Sequence, residues 1–226
     1  MTHKPLLFSL FCTILTIAVS AYAWFNLPVL ESYPLRWNAA GEANQFGSRE
    51  DVLILLSIFP FVALGMTLLF ALLPRVEPLR GNLEESKKPY GLVWMLCMAL
   101  ILFVATMIAL SYATEQGGKI GSSPRLVVTA LSLFFIGVGN VLGKVRQNFM
   151  FGIRTPWTLS SELSWEKTHR IGARLFVATG VVSLITALAL PILAFPVFII
   201  SLLLSVTACL VISYREWRND PDKRTA

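Results

Sequence analysis

Long apolar stretches separated by short polar segments dominate the pattern along this chain. A helix needs about 20 apolar residues to cross a hydrocarbon core about 30 Å thick, and six stretches approach or reach that length. They are Pro5–Leu27, Leu53–Pro74, Tyr90–Thr114, Leu126–Gly143, Ile171–Leu190 and Pro196–Tyr214. We therefore predict an all-α polytopic membrane protein with about six transmembrane helices.

Two boundaries of this pattern admit alternatives. Pro191 and Pro196 bracket a short segment, 191–195, which we interpret as a tight hairpin because two prolines cannot both continue one helix. Fusing the last two stretches would give five spans instead. Near the N-terminus, Lys4, the apolar core 6–19 and the Ala-Tyr-Ala run at 21–23 resemble a cleavable signal peptide with a small-residue cleavage site. The apolar run continues past that site to spanning length, which favours a retained helix.

Composition supports a membrane protein over soluble classes. Of the 226 residues 55% are hydrophobic and 14% are charged, against about 45–50% and 25% in ordinary globular proteins. A disordered chain, a nucleic-acid-binding domain and a secreted disulfide scaffold all fit poorly. Cys12, Cys97 and Cys209 lie inside apolar stretches, and His3 and His169 have no ligands at metal spacing nearby. We expect no metal and no cofactor.

The distribution of basic residues predicts the orientation. Nineteen residues are Lys or Arg, and Arg36, Arg49, Lys119 and Arg125 are the four that fall on the side opposite the termini. The other fifteen fall on the side with both termini. Cytoplasmic loops retain positive charge, so we predict an N-in/C-in protein of the cell (inner, cytoplasmic) membrane.

The predicted spans contain few ionisable side chains. None of the six apolar cores contains Asp, Glu, Lys or His, the residues that usually carry the coupling charge in pumps and antiporters. Polar residues such as Thr13, Thr67 and Ser132 are interpreted as hydrogen-bonding groups between or within helices. Gly139 and Gly143 form a small-x-x-x-small pair, which predicts close helix packing.

The predicted outer loop, 28–50, is longer than a connector needs. Trp37 and Phe46 flank residue types that favour turns, so we predict a small ordered turn with two aromatic anchors at the membrane interface. A plain aromatic belt and a ligand-binding surface both remain open. The candidate ligand-binding residues are Trp37, Asn38, Gly41, Asn44, Phe46 and Gly47.

The predicted inner loop, 144–170, is the second segment that is longer than a connector between spans needs. Pro156 ends any helix that arrives there, and Ser160 or Ser161 can cap a new one with Glu162 in its first turn. We predict a short interfacial helix that runs into the fifth span. On it Trp165 lies beside His169, and Glu166 can pair with Arg170. The candidate motif residues, expected to contact a partner, are Asn140, Asn148, Gly152, Arg154, Thr155, Pro156, Trp157, Thr158, Trp165, Thr168 and His169.

These inner residues carry a family resemblance. The glycines and Asn140 of segment 139–144, Asn148, the run 152–159, Trp165 and the triplet 168–170 resemble the motif of the SdpI family. The outer loop is similar to a small domain of unknown function that often precedes it, although Arg36 and Asn44 stand where relatives often have His and Asp. The resemblance implies an N-terminal two-span unit, 1–75, with an ordered extracytoplasmic loop, 28–50. It also implies a four-span unit, 90–226, with a cytoplasmic motif loop, 140–170.

The resemblance further implies an activity. Members protect their cell from a secreted toxic peptide, and the founding member also signals by drawing a cytoplasmic transcriptional repressor to the membrane. The expected partners are therefore the lipid bilayer, a toxic peptide and such a repressor, with no direct nucleic-acid contact and no catalytic residue. Two other classes stay open. One is a membrane enzyme that uses His169 with Glu162 or Glu166 at the cytoplasmic face, and the other is an exporter with a polar central path.

Overall fold

The structure of the chain is a computed structural model that describes residues 3–38, 43–113 and 124–223. The helices in these ranges are α1 (His3–Phe25), α2 (Arg49–Val76), α3 (Arg80–Glu85), α4 (Lys87–Ala113), α5 (Pro124–Leu142), α6 (Pro156–Ser160), α7 (Glu162–Ala189) and α8 (Pro191–Arg218). Two short strands, β1 (Tyr33–Trp37) and β2 (Ala43–Gly47), form the one sheet in the described ranges.

Six of these helices, α1, α2, α4, α5, α7 and α8, are long and apolar enough to cross a membrane. The predicted all-α, six-span architecture is confirmed, and the protein is a multi-pass membrane protein surrounded by lipid. Because six helices cross, both termini lie at the same end of the bundle, which we call the terminal end. The opposite end is called the hairpin end, after the hairpin that strands β1 and β2 form there. Which end faces the cytoplasm stays a prediction.

The spanning helices pack in two groups of three. Helix α1 packs against α2 and α4, while α7 packs against α5 and α8. The groups meet where α4 contacts α5. The proposed division of the chain into 1–75 and 90–226 stays a prediction.

Hydroxyl groups connect helices in the first group. The Ser9 hydroxyl lies 2.6 Å from the Thr67 hydroxyl, and the Thr13 hydroxyl lies 3.1 Å from it. The Thr67 hydroxyl also donates to the carbonyl of Ala63 in its own helix, at 2.8 Å. The predicted hydrogen bonding between helices is confirmed for Thr13 and Thr67. The hydroxyl of Ser132, which was interpreted in the same way, is buried but has no hydrogen-bond partner among the described residues.

Small residues allow close packing in the second group. A Cβ added to Gly139 of α5 would lie 2.7 Å from the Ala173 carbonyl oxygen. A Cβ added to Gly180 of α7 would lie 2.6 Å from the Ser132 carbonyl oxygen. Both distances are shorter than a carbon–oxygen contact permits, so the two backbones approach because neither position has a side chain. The predicted packing role of Gly139 is confirmed.

One predicted boundary was wrong. Helix α8 begins at Pro191, so the connection between α7 and α8 is Leu190 alone and not a hairpin over 191–195. Proline at the first position of a helix loses no bond, since that N–H has no partner within the helix. Pro196 lies inside α8 and removes one backbone hydrogen bond.

Candidate functional site

The outer loop folds as a β-hairpin. Strands β1 and β2 pair antiparallel, with Tyr33 opposite Gly47 and Trp37 opposite Ala43. The predicted small turn is flanked by these two strands, which were not predicted from the sequence. Ser48 caps α2 directly after β2, and its hydroxyl accepts a hydrogen bond from the Asp51 N–H at 3.3 Å. Gly41, one of the predicted ligand-binding residues, lies outside the described residues.

Two tyrosines hold the hairpin on the helix bundle. The Tyr33 hydroxyl donates to the carbonyl of Pro28 at 2.6 Å and accepts from the Leu30 N–H at 3.1 Å. The Tyr112 hydroxyl, at the end of α4, donates to the carbonyl of Pro34. The ring of Trp37 lies 6.4 Å from that of Tyr112, so Trp37 packs against the bundle.

The other predicted residues of the hairpin face outward. Asn38 and Asn44 are exposed, and Phe46 exposes 58% of its surface. Gly47 is half-buried against Leu35 and Asp51. A phenylalanine that exposed, at the end of a membrane protein, is available to contact a ligand or the lipid surface.

At the terminal end, the motif loop, which we define as residues 143–161, turns around Asn148. The Asn148 side chain is fully buried. Its oxygen accepts from the N–H groups of Met150 and Phe151 at 2.9 and 2.6 Å, and its nitrogen donates to the Arg146 carbonyl at 2.8 Å. Asparagine stabilises turns in this way because its amide substitutes for backbone groups.

His169 is locked by main-chain groups on both sides of its ring. The N–H of Ile153 donates to Nε2 at 2.9 Å, so Nε2 carries no proton. Nδ1 lies 2.9 Å from the Trp165 carbonyl oxygen, and it must carry the proton that makes this contact a hydrogen bond. The geometry therefore assigns a neutral imidazole, protonated at Nδ1.

Trp165 forms the other half of this core. Its ring stacks on that of His169, with centroids 4.0 Å apart and planes 21° apart, and its Nε1 donates to the Val145 carbonyl at 2.8 Å. Gly152 covers the pair at φ 118°. A Cβ there would meet His169 Nε2 and lie 3.2 Å from the Trp165 ring. Glycine at 152 is required both for the positive φ and for the space.

A threonine pair starts helix α6. The Thr155 hydroxyl accepts from the Thr158 N–H at 3.1 Å, while the Thr158 hydroxyl accepts from the Thr155 N–H at 2.9 Å and donates to the Ile153 carbonyl at 2.8 Å. Pro156 occupies the first helical position, as helix starts favour. Ser161 then caps α7 through the Ser164 N–H at 2.9 Å. The predicted interfacial helix that runs into the fifth span is confirmed as the start of α7, with Ser161 as its cap and Glu162 in its first turn. Helix α6 is an additional five-residue helix that was not predicted.

The remaining motif residues are less enclosed, apart from Thr168. Asn140 is exposed on α5. Arg154 is exposed, and its guanidinium donates to the Phe149 carbonyl at 2.6 Å. Trp157 packs against Tyr214 of α8 with ring centroids 5.2 Å apart. The Thr168 side chain is fully buried, and its hydroxyl has no hydrogen-bond partner among the described residues.

A buried carboxylate that the sequence did not indicate holds the motif loop. Glu77 directly follows α2 and is only 1% exposed. Its two oxygens lie 3.1 and 3.0 Å from the Phe149 nitrogen, whose N–H donates to them, and one also accepts from the Leu79 N–H at 3.0 Å. A carboxylate tolerates burial when such donors satisfy it. Its sequence signal was weak, since Glu77 looks like an ordinary loop residue.

Two more side chains from the same connection hold the loop. Asn82 donates to the Gln147 carbonyl at 2.8 Å, and the Ser86 hydroxyl accepts from the Arg146 N–H at 2.9 Å. We call Glu77, Asn82 and Ser86 the clamp. The clamp follows the second span and the motif loop follows the fourth, so the clamp ties the two helix groups together at the terminal end.

The ion pairs differ from the prediction. Glu166 lies 3.5 Å from the guanidinium of Arg146, which also lies 3.2 Å from Glu85. The predicted partner of Glu166 was Arg170, one turn away on the same helix. Arg146 competes with Arg170 for Glu166 because the clamp holds the backbone of Arg146 near Glu166.

The C-terminal segment is fastened to the start of α7. The Ser161 hydroxyl donates to the Asp220 carboxylate, and this bond holds the pKa of Asp220 below its ordinary value. The Ser164 hydroxyl donates to the Ser213 carbonyl at 2.7 Å, and Lys167 pairs with Glu216 at 2.6 Å. These contacts fix α7 against α8 outside the apolar part of the spans.

This arrangement is suited to holding a loop and not to acid–base catalysis. A general base needs a free lone pair directed at its substrate, but the Nε2 lone pair of His169 accepts from a backbone N–H. The carboxylate that the enzyme hypothesis requires beside His169 is replaced by main-chain partners. In the ranges that the structure describes, no cluster of His, Cys, Asp and Glu could hold a metal ion.

The fold and these two loops define a class: a six-helix membrane protein with a hairpin at one end and a buried, clamped loop at the other. Residues 144–214 match the model of the SdpI/YfhL protein family, and residues 11–64 match that of a domain of unknown function (DUF1648). The chain is also 24% identical over 221 residues to the "Immunity protein SdpI" of Bacillus subtilis (strain 168), covering 95% of this chain and 97% of that protein. No solved structure matches. The resemblance to the SdpI family is confirmed.

Proposed function

We propose that this chain is a membrane immunity protein that protects its cell from a secreted toxic peptide. The observation that supports this most strongly is the similarity to the Immunity protein SdpI of Bacillus subtilis, which extends over 221 residues and therefore includes both the hairpin and the motif loop. The absence of acidic residues, lysine and histidine from the apolar cores favours a sensor or immunity role over ion-coupled transport.

The proposed contact with the peptide is at the hairpin end, facing outward from the cell. Asn44 and Phe46 are exposed there on a backbone that Tyr33 and Tyr112 hold in place. A rigid platform that presents one exposed aromatic ring binds at low entropic cost. This placement requires the N-in/C-in orientation and a location in the cell membrane.

The proposed response is at the terminal end, where a cytoplasmic transcriptional repressor would bind. The clamp connects the two helix groups, so a change in their packing at the hairpin end has a mechanical path to the motif loop. The peptide must favour one of two packings, since equal affinity for both would shift nothing. Arg154 is exposed and Trp157 is half-buried, so both are candidates for contact with such a partner.

The function is tested by expressing the chain in a sensitive host and challenging it with candidate killing peptides. We expect survival with the wild-type chain and loss of protection with Phe46→Ala or Arg154→Ala at equal membrane level. Phe25→Ala, which removes another exposed phenylalanine, serves as the control and should protect fully. No protection by the wild-type chain against any such peptide would contradict an immunity role.

The orientation is tested by labelling single cysteines in a cysteine-free variant of the full chain. Asn44→Cys should react with an impermeant reagent added to intact cells, while Arg154→Cys should react only after the cells are opened. The reverse pattern would invert the assignment of the ligand face and the response face.

A further inference from the structure

A cavity of about 280 Å³ lies at the terminal end, where α5 stops and α7 passes it. Three basic residues line it, Lys144, Arg146 and Arg170, together with the carboxylates of Glu162 and Glu166. Trp165 and His169 also line it, and both are held by the hydrogen bonds and ring stacking described above.

The basic residues of the cavity differ in their partners. Arg146 is neutralised, because its guanidinium lies 3.2 Å from Glu85 and 3.5 Å from Glu166. Lys144 and Arg170 are exposed, and neither forms an ion pair with any residue in the described ranges. Two unneutralised cations thus border one cavity.

The two unneutralised cations are held close together by helix packing. A Cβ added to Gly143 would lie 3.7 Å from the Cα of Arg170 and 3.6 Å from the Cβ of Ala173. Lys144 is the next residue after Gly143, so its backbone lies beside Arg170. Both side chains line the same cavity, so an anion that binds there would be attracted by both charges, against the repulsion of Glu162 in the same lining.

Their depth matches the headgroup layer of a bilayer. Lys144 is two residues beyond the end of α5, and Arg170 directly precedes Ile171, where the apolar stretch of α7 starts. Both residues therefore lie next to the end of an apolar stretch, where a spanning helix leaves the hydrocarbon core. Lipid phosphates lie at this level, and basic pockets between spanning helices bind anionic headgroups.

We infer that this cavity binds the phosphate of an anionic phospholipid between Lys144 and Arg170. The guanidinium of Arg170 can donate two parallel hydrogen bonds to a phosphate, and the Lys144 ammonium supplies a second positive charge. The acyl chains would lie on the lipid-facing sides of α5 and α7, which begin at the rim of the cavity. A free phosphate ion has the same charge chemistry but gains none of that apolar contact. Lipid binding here does not require that the protein confers immunity.

The experiment measures binding of short-chain phosphatidylglycerol to the purified full chain in neutral detergent, by native mass spectrometry. Phosphatidylcholine and inorganic phosphate are the comparison ligands. The test variant is Lys144→Gln/Arg170→Gln. The control variant is Arg215→Gln/Arg218→Gln, which removes the same charge from the same end but does not touch the cavity. Each variant is first checked for an unchanged elution volume and helical circular dichroism.

We expect the wild-type and control chains to retain phosphatidylglycerol. The test variant should bind it at least roughly tenfold more weakly, because it loses at least one charge-assisted contact. Arg170→Lys should retain part of the affinity because the charge remains. Equal weakening by the test and control variants would show only general attraction to a basic surface and overturn the site. Competition by inorganic phosphate at equal concentration would overturn the lipid as ligand. If the test variant fails to fold, the affinity of folded Arg170→Lys relative to folded Arg170→Gln decides, and equal affinity of these two would contradict the inference.

Discussion

The hairpin and the motif loop occupy opposite ends of one bundle and use their polar residues in opposite ways. At the terminal end, the side chains of Asn148 and Thr158 in the motif loop and of His169 on α7 are fully buried and bind backbone groups. In the hairpin, Asn44 and Phe46 are exposed. The polar side chains at one end therefore hold the backbone in shape, whereas the side chains at the other end can be reached from outside the protein.

The comparison predicts where substitutions act. Changes in the motif loop should lower stability first and function as a consequence, because each buried side chain satisfies backbone groups that have no water to replace it. Changes at the exposed residues Asn44 and Phe46 should leave stability nearly unchanged and act on the proposed ligand binding alone.

Gly152→Ala should lower the free energy of unfolding by about 3 kcal/mol or more, because alanine is strained at a positive φ and its methyl group collides with His169 and Trp165. The measurement is denaturant unfolding of the purified protein in detergent micelles. The control is Gly65→Ala in α2, where a Cβ would meet nothing within 4 Å and the unfolding free energy should not fall. Equal stability of the two variants would refute the close packing over the ring pair.

Glu77→Gln should lower the free energy of unfolding by about 2 kcal/mol, because a neutral amide replaces the carboxylate that accepts from the buried Phe149 N–H. It should also make the motif loop more sensitive to limited proteolysis. Glu84→Gln is the matched control. Glu84 pairs with Lys87 at the surface, where such a pair is worth well under about 1 kcal/mol. A clamp that contributes nothing would leave both variants equally resistant to protease.

Tyr112→Phe should cost about 1 kcal/mol, because the Pro34 carbonyl loses its buried donor. Phe46→Ala, in the same hairpin, should change the unfolding free energy by less than about 0.5 kcal/mol because the ring is exposed. Thermal unfolding in detergent compares the two variants, and survival under peptide challenge measures function. A larger stability loss in Phe46→Ala than in Tyr112→Phe would reverse the roles assigned to these rings.

Asp220 should add a small dependence of stability on pH. Its pKa is lower in the folded protein than in the unfolded chain, because the Ser161 hydroxyl donates to the carboxylate. The contribution is therefore present above the ordinary pKa of aspartate, about 3.9, and is lost as pH falls through the lowered pKa. The stability difference between wild type and Asp220→Asn should shrink below about pH 4. A stability difference between these two chains that grows as the pH falls would contradict the prediction.

The sequence predicted those parts of the site that depend on near neighbours. The contact of Trp165 with His169 follows from a spacing of four residues on a helix. Pro156 was predicted to end a helix and instead begins α6. Ser161 was one of two candidate caps, and the hydrogen bond to Ser164 selects it. Each of these features is set within five residues of chain, where the local rules of helices apply.

The six spans were also determined by the sequence alone, since the length of an apolar stretch fixes whether a helix can cross a bilayer. Only the tertiary structure decided that Glu77 binds the Phe149 N–H, 72 residues away, and that Glu166 pairs with Arg146 and not with Arg170. The β-hairpin likewise depends on Tyr112, which lies 78 residues beyond Pro34. Such contacts arise when distant segments meet across the bundle, and periodicity along one segment carries no information about its partner.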